Sequence, residues 1–86
     1  MEIIELKYFW CNDKLFDAKS EWRKMYFAIE NFINLLEMTG EEDNIYFPNG
    51  KYYSLEYTLG GKGKSVYIDE NSANLLADKL GFNLSV

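Results

Sequence analysis

The stretch from Trp22 to Met38 constrains the fold more than any other part of the chain. Set at about 100° per residue, Trp22, Met25, Tyr26, Ile29, Phe32, Ile33 and Leu36 fall within one narrow arc. That spacing predicts a long helix with one face on a core. Ser20 or Asp17 supplies a start signal and Thr39-Gly40 a stop. The far side of such a helix should be polar, yet Phe27, Leu35 and Met38 fall there, among Lys24, Asn31 and Asn34. Three large apolar side chains on an outer face call for a cover, supplied by the chain itself or by a partner.

Around this element the sequence reads as sheet. Ile4, Leu6, Tyr8 and Trp10 alternate with Ile3, Glu5, Lys7 and Phe9, the pattern of a strand with one apolar side, and Asn12-Asp13 signals a turn after it. Lys14 to Ala18 fits either a short returning strand or the approach to the helix, and Glu41-Glu42-Asp43 is a charged link after it. Ile45 to Phe47 is a short strand ended by Pro48-Asn49-Gly50, a turn signal. Tyr53, Leu55, Tyr57 and Leu59 alternate with Tyr52, Ser54, Glu56 and Thr58 in the clearest strand of the chain. Gly60-Gly61-Lys62-Gly63 turns it back into Ser65–Ile68, which completes a three-strand meander.

Asp69 then caps a second helix through Leu80, with Ala73, Leu76, Ala77 and Leu80 on one face, and Gly81 ends it. Phe82, Leu84 and Val86 alternate again, compatible with a short last strand. The expected order is β-α-β-β-β-α: residues 1–86 as a single α+β domain, with one long and one shorter helix on one face of a small antiparallel sheet.

Composition narrows the function classes. Two Trp, seven Tyr and six Phe supply core material in only 86 residues. The single cysteine, Cys11, excludes an internal disulfide and fits a reducing compartment. The acidic amino terminus does not read as a signal peptide, and no apolar run approaches a membrane span, so a cytoplasmic location is expected. A net charge of −5 opposes binding to nucleic acid or to an anionic membrane. The charge is also segregated: Glu30, Glu37, Glu41, Glu42 and Asp43 lie between Met25 and Gly50 with no base among them until Lys51, whereas Lys14, Lys19, Arg23 and Lys24 cluster just before.

Catalytic signals are thin. No histidine is present, which rules out a Ser-His-Asp or Cys-His set and any His-bearing zinc site within the chain. Carboxylates alone can do acid–base work, but they need a substrate groove that a domain this small rarely has room for. The acids at 41–43 and 69–70 lack the spacing of a calcium loop. Gly63-Lys64-Ser65 copies the end of a phosphate-binding loop, but Thr58 stands where the first Gly is needed and a strand follows instead of a helix. Lys62 to Ile68 has a faint likeness to the aromatic strand of RNA-binding sheets, with Lys64 and Val66 where stacking rings belong. No metal, cofactor or catalytic residue is therefore expected.

What remains is a contact surface. With Ile45/Phe47, Tyr53/Leu55/Tyr57 and Val66/Ile68 turned toward the helices, Tyr46, Tyr52 and Tyr67 should share the opposite sheet face with Ser54 and Glu56. Tyrosines interleaved with short polar residues give large contact area at low entropic cost. The leading expectation is a small, acidic, non-enzymatic protein-binding module, an inhibitor or immunity-type protein that covers a basic, nucleic-acid-handling target. Its contact residues would be Tyr46, Tyr52, Glu56 and Tyr67, the acids Glu37, Glu41, Glu42 and Asp43, and Phe27, Leu35 and Met38. The alternative is a self-associating accessory protein, a homodimer through the outer side of the long helix.

Overall fold

The computed structural model describes residues 2–14, 16–40 and 45–84. It contains five antiparallel strands, β1 (Ile3–Asn12), β2 (Lys19–Ala28), β3 (Phe32–Gly40), β4 (Gly50–Leu59) and β5 (Lys62–Ile68), followed by one helix, α1 (Glu70–Leu80). The fold is α+β and mainly sheet. The strands lie in the order β2-β1-β5-β4-β3, so the two edge strands are neighbours in sequence.

The long helix is the main correction. Trp22 to Met38 forms the end of β2, a single 3-10 turn at Ile29–Asn31, and most of β3. Two breaks in a period of two produced the helical spacing. The 3-10 turn inserts one irregularity, and a register shift between Phe32 and Asn34 inserts another. The residues of this stretch that pack with the core are Met25, Phe27, Ile29, Phe32 and Leu35, separated by two, two, three and three. That sequence of steps imitates a helix over three turns. Composition also favours sheet here, since Trp22, Tyr26, Phe27, Ile29, Phe32 and Ile33 are aromatic or β-branched.

The same correction reassigns both faces. Phe27, expected on the outer side, is 3% exposed and belongs to the core, and Leu35 packs against that core. Trp22, Tyr26, Ile33 and Leu36, expected inward, are exposed. The outer helix face postulated as a dimer interface therefore has no counterpart in the fold.

A connection of three residues between the two sheet edges requires a curled sheet. In a flat sheet β2 and β3 would lie four strand spacings apart, about 19 Å. The pairings Ala28↔Ile3 and Phe32↔Tyr57↔Lys64, extended from Tyr8↔Ile68, also offset the two ends by about nine residues along β1, the stagger a closing barrel needs. The 3-10 turn reaches about 15 Å at most. The sheet must roll toward a barrel, and the Phe27 ring meets Tyr57 edge-on at 5.7 Å, a contact between β2 and β4 that only such curling allows. Ile4, Leu6, Tyr53, Leu55 and Ile68 line the inside, and Ala73 and Leu76 of α1 close it, most of these less than 4% exposed.

Local chemistry sets the remaining elements. Gly60 and Gly61 take φ of 59° and 79°, the left-handed pair that a two-residue hairpin turn needs, so β4 passes directly into β5. The Asp69 carboxylate accepts from the Ser72 amide at 2.8 Å and caps α1 as expected. At the other end the Phe82 amide donates to Ala77 and that of Gly81 to Asp78, which stops the helix in a left-handed turn.

Three smaller expectations differ from the structure. Residues 45–47 form bends rather than a strand, because Pro48 is buried and the chain crosses the sheet surface there instead of pairing. The described residues between Asn12 and Lys19 (13, 14 and 16–18) belong to no strand or helix, and residue 15 lies outside the described residues; the Asn12 side chain accepts from the Lys14 amide and holds a turn. Residues 82–84 form no strand, and Leu84 tucks against the core; Ser85 and Val86 lie outside the described residues, as does the 41–43 link. Among the described residues no helix is long and apolar enough to cross a membrane.

Candidate functional site

Alternation along each strand divides the sheet into an inner face toward α1 and an outer face. The pairings Phe9↔Trp22 and Tyr67↔Ser54↔Leu36 put these residues on the outer face, together with Tyr26, Tyr52, Glu56 and Met38. Phe9 and Trp22 meet edge-on with ring centroids 5.3 Å apart. The segment 45–49 folds back over the same face: Phe47 lies 5.7 Å from Tyr67, and Tyr67 lies 5.1 Å from Tyr52. An aromatic strip thus runs from β2 across β1 and β5 to β4.

Two shallow depressions border this strip. One, of about 270 Å³, is lined by Phe9, Ser20, Glu21, Trp22, Phe47 and Asn49. The other, of about 300 Å³, is lined by Tyr8, Phe9, Cys11, Tyr46, Ser65, Val66 and Tyr67. Phe9 takes part in both. Trp22 is 41% exposed and Tyr46 51%, and Leu36 continues the apolar surface on β3 at 45%. Contiguous apolar exposure of this kind marks interaction surfaces on small soluble domains.

The expected contact residues divide between the two faces. Tyr46, Tyr52, Glu56, Tyr67 and Met38 are brought together outside, although Tyr52 is only 2% exposed beneath the Tyr67 ring and supports the surface rather than forming it. Phe27 and Leu35 lie inside. Glu37 is exposed on β3 and bound to Lys51 at 2.8 Å, with Glu70 of α1 3.6 Å from the same ammonium, so it ties β3 and β4 to the helix. Glu37 and the Tyr53 hydroxyl hold the Lys51 ammonium above its ordinary range. Glu41, Glu42 and Asp43 lie outside the described residues; in sequence they join Gly40 to Ile45, at the root of the segment that carries Tyr46 and Phe47. Phe47, expected inward, is outside.

Phe9, Trp22 and Leu36 were missed as surface residues. A period of two from Ser20 to Ala28 separates Trp22, Lys24 and Tyr26 from Arg23, Met25 and Phe27, and that signal identifies the outer set. Burial raises the Tyr52 hydroxyl above its ordinary pKa, with the neighbouring Tyr67 adding to the shift. The unfolded chain then ionises this phenol before the folded one does. Stability is full below about pH 10 and falls as pH rises beyond it. Chemical denaturation across that range should show the midpoint declining, and Tyr52→Phe should flatten the decline.

Among the described residues no group of three or more cysteine or carboxylate side chains converges on one point, and Cys11 is exposed and free. The geometry offers shape, aromatic area and backbone edges. It defines a small open-barrel domain with an aromatic outer face. No family model matches the chain, and no curated protein or solved structure is significantly similar to it.

Proposed function

We propose that this chain is a non-enzymatic protein-binding module that docks a partner on the outer sheet face. The observation that supports this reading is the aromatic strip of exposed Trp22, Phe47 and Tyr46 with half-buried Phe9 and Tyr67, bordered by two depressions that can seat side chains of a partner. Buried aromatic anchors carry most of the energy in protein interfaces. The acids at 41–43, attached to the same segment, would speed encounter with a basic protein and set its orientation. An inhibitor or immunity-type protein that covers a basic, nucleic-acid-handling target fits this combination, and such a protein would work in the cytoplasm.

Affinity capture from the native host, with wild-type protein and a Trp22→Ala variant of equal melting temperature as baits, tests the reading. A basic protein should be retained by the wild type and lost from the variant, with a binding deficit of about 2 kcal/mol or more. Its association should also slow between about 0.01 and 0.15 M salt, as the screening length shrinks from about 30 to about 8 Å. Equal retention by both baits, or a rate indifferent to salt, overturns it.

A second reading, self-association, draws on β3. This edge strand is nine residues long, carries Glu37 as its one charge, and exposes Ile33 and Leu36. Uncharged apolar edges are prone to pair with a second copy. A strict monomer by sedimentation at high micromolar concentration removes this reading.

A further inference from the structure

The sheet is joined at its centre by one residue pair. β1 pairs with β2 through ten successive positions and β5 with β4 through seven, but β1 and β5 meet only at Tyr8↔Ile68. On one side of that pair α1 takes over from β5, and the Ser72 hydroxyl accepts the Lys7 amide of β1 at 2.8 Å. On the other side nothing equivalent is found among the described residues. Among the described residues, β1 from Phe9 to Asn12 and β5 from Tyr67 back to Lys62 have no strand partner on their facing edges. The two strands diverge there as a wedge.

Each face of the wedge has its own depression. Outside is the one lined by Phe9, Cys11, Tyr46 and Tyr67, about 300 Å³. Inside is another of about 320 Å³, lined by Tyr8, Lys24, Met25, Tyr57 and Val66. Tyr8 and Val66, on the two sides of the gap, line both. An added strand sends successive side chains to opposite faces, so it needs an apolar recess on each side of the edge it pairs with. The wedge supplies that pair.

Charge selects what enters. Lys62 and Lys64 share the inner face of β5 with Val66, and no ion pair holds either among the described residues; Lys24 borders the inner recess, but its ammonium lies 4.0 Å from the Glu5 carboxylate and adds no free charge there. The carboxylates close by are placed elsewhere. Glu21 is bound to Arg23 at 2.8 Å, and Glu56 lies on the outer face opposite Ser65. The mouth is therefore basic in a protein whose net charge is −5.

We infer that the wedge between β1 and β5 binds an extended, acidic segment of another protein by strand addition along the free edge of β5, with alternate apolar side chains in the two recesses. The wedge shares its outer recess with the docking face proposed above, but it goes beyond that face in using backbone edges, lysines and an inner recess instead of Trp22 and Phe47, and in taking an unfolded acidic chain rather than a folded basic surface.

The test is an NMR amide titration of the intact protein with a synthetic peptide whose Val-Phe-Val centre is flanked by two glutamates at each end. Saturable shifts are expected at Lys62–Tyr67 and Phe9–Asn12. Replacing the glutamates by lysines, and methylating one of the two alternate sets of peptide nitrogens, should each weaken binding at least about tenfold. The lysine peptide binding as well as the glutamate peptide, both methylated sets binding undiminished, shifts confined to the outer edges of β2 and β3, or no saturable shift at all would each overturn the inference. Repeating the titration with Trp22→Ala separates the two sites: peptide affinity should be unchanged even where capture of a folded partner is lost.

Discussion

Phe27→Ala is expected to cost about 3–5 kcal/mol of unfolding free energy, whereas Tyr26→Thr, one residue away, should stay within about 0.5 kcal/mol. The two side chains are neighbours on β2 and point to opposite faces. Phe27 is 3% exposed and joins Ile4, Leu55 and Leu76 in the core, while Tyr26 is 72% exposed. Phe27 also carries the edge-on contact to Tyr57 that links β2 to β4 across the curl, so its loss removes a ring and a tie between distant strands. A long helix from Trp22 to Met38 would reverse the order, with Tyr26 inside and Phe27 outside. Urea denaturation of the two variants decides between these arrangements in one experiment. A domain of this size holds roughly 4–13 kcal/mol in total, so the Phe27 variant will sit near the edge of folding. Phe27→Leu, which keeps most of the volume, is expected to lose less than the alanine variant and keeps the comparison measurable if that variant fails to fold.

That reversal shows where the sequence is readable. β1, β4, β5 and α1 carry their signals locally: uninterrupted alternation in the strands, Gly60-Gly61 at the hairpin, and Asp69 and Gly81 at the helix ends. Each boundary depends on residues within a few positions of it. β2 and β3 depend on partners far away, since β2 is fixed by β1 and β3 by β4, and the 3-10 turn between them serves the closure of the barrel. Two interruptions of the alternation in one apolar stretch, at Ile29–Asn31 and at Phe32/Asn34, were enough to convert its period. The candidate site follows the same division. Tyr52 and Tyr67 were placed on the outer face because β4 and β5 alternate plainly, while Trp22 and Leu36 were hidden by the helical reading. Phe47 was misplaced because its segment is held by Pro48 and Gly40 rather than by strand pairing.

The two binding proposals place opposite demands on charge, and they share one recess, the outer one lined by Phe9, Tyr46 and Tyr67. The basic mouth lies where Lys62 and Lys64 of β5 face inward, toward the end of the sheet where Asn12 of β1 pairs with Lys19 of β2. Arg23 there stacks on the Trp10 ring at 3.6 Å, an arrangement that keeps its charge beside the aromatic face. Elsewhere Lys51 binds Glu37 and Glu70 at the start of α1, and Lys79 in its last turn binds Glu2. These exposed pairs contribute little to stability, and among the described residues the lysines of β5 take part in none of them. A molecule with net negative charge therefore keeps unpaired lysines at the wedge, next to an aromatic outer face.

Gly40→Ala should be the most damaging single substitution for the outer face. Gly40 ends β3 opposite Gly50, and a Cβ placed there would collide with the backbone carbonyl of Pro48 and sit 3.2 Å from the Tyr52 ring. A carbonyl cannot rotate away as a flexible side chain would, so the whole 45–49 segment must shift. Forcing extra volume into a closed contact costs about 1–3 kcal/mol, and each kcal/mol lowers the melting temperature of a domain this size by about 4–8 °C. The loss should not stop at stability. Pro48 is fully buried, and its displacement carries Phe47 away from Tyr67, uncovers Tyr52, and breaks the continuity of the aromatic strip between Trp22 and β4. Near-ultraviolet circular dichroism of Tyr52 and Tyr67 should weaken below the unfolding transition, and capture of a folded partner should fall even at temperatures where the variant is fully folded. Peptide binding in the wedge should decline less, because the β5 edge and the inner recess lie apart from Gly40. Unchanged tyrosine dichroism and unchanged capture would mean that the 45–49 segment does not organise this face.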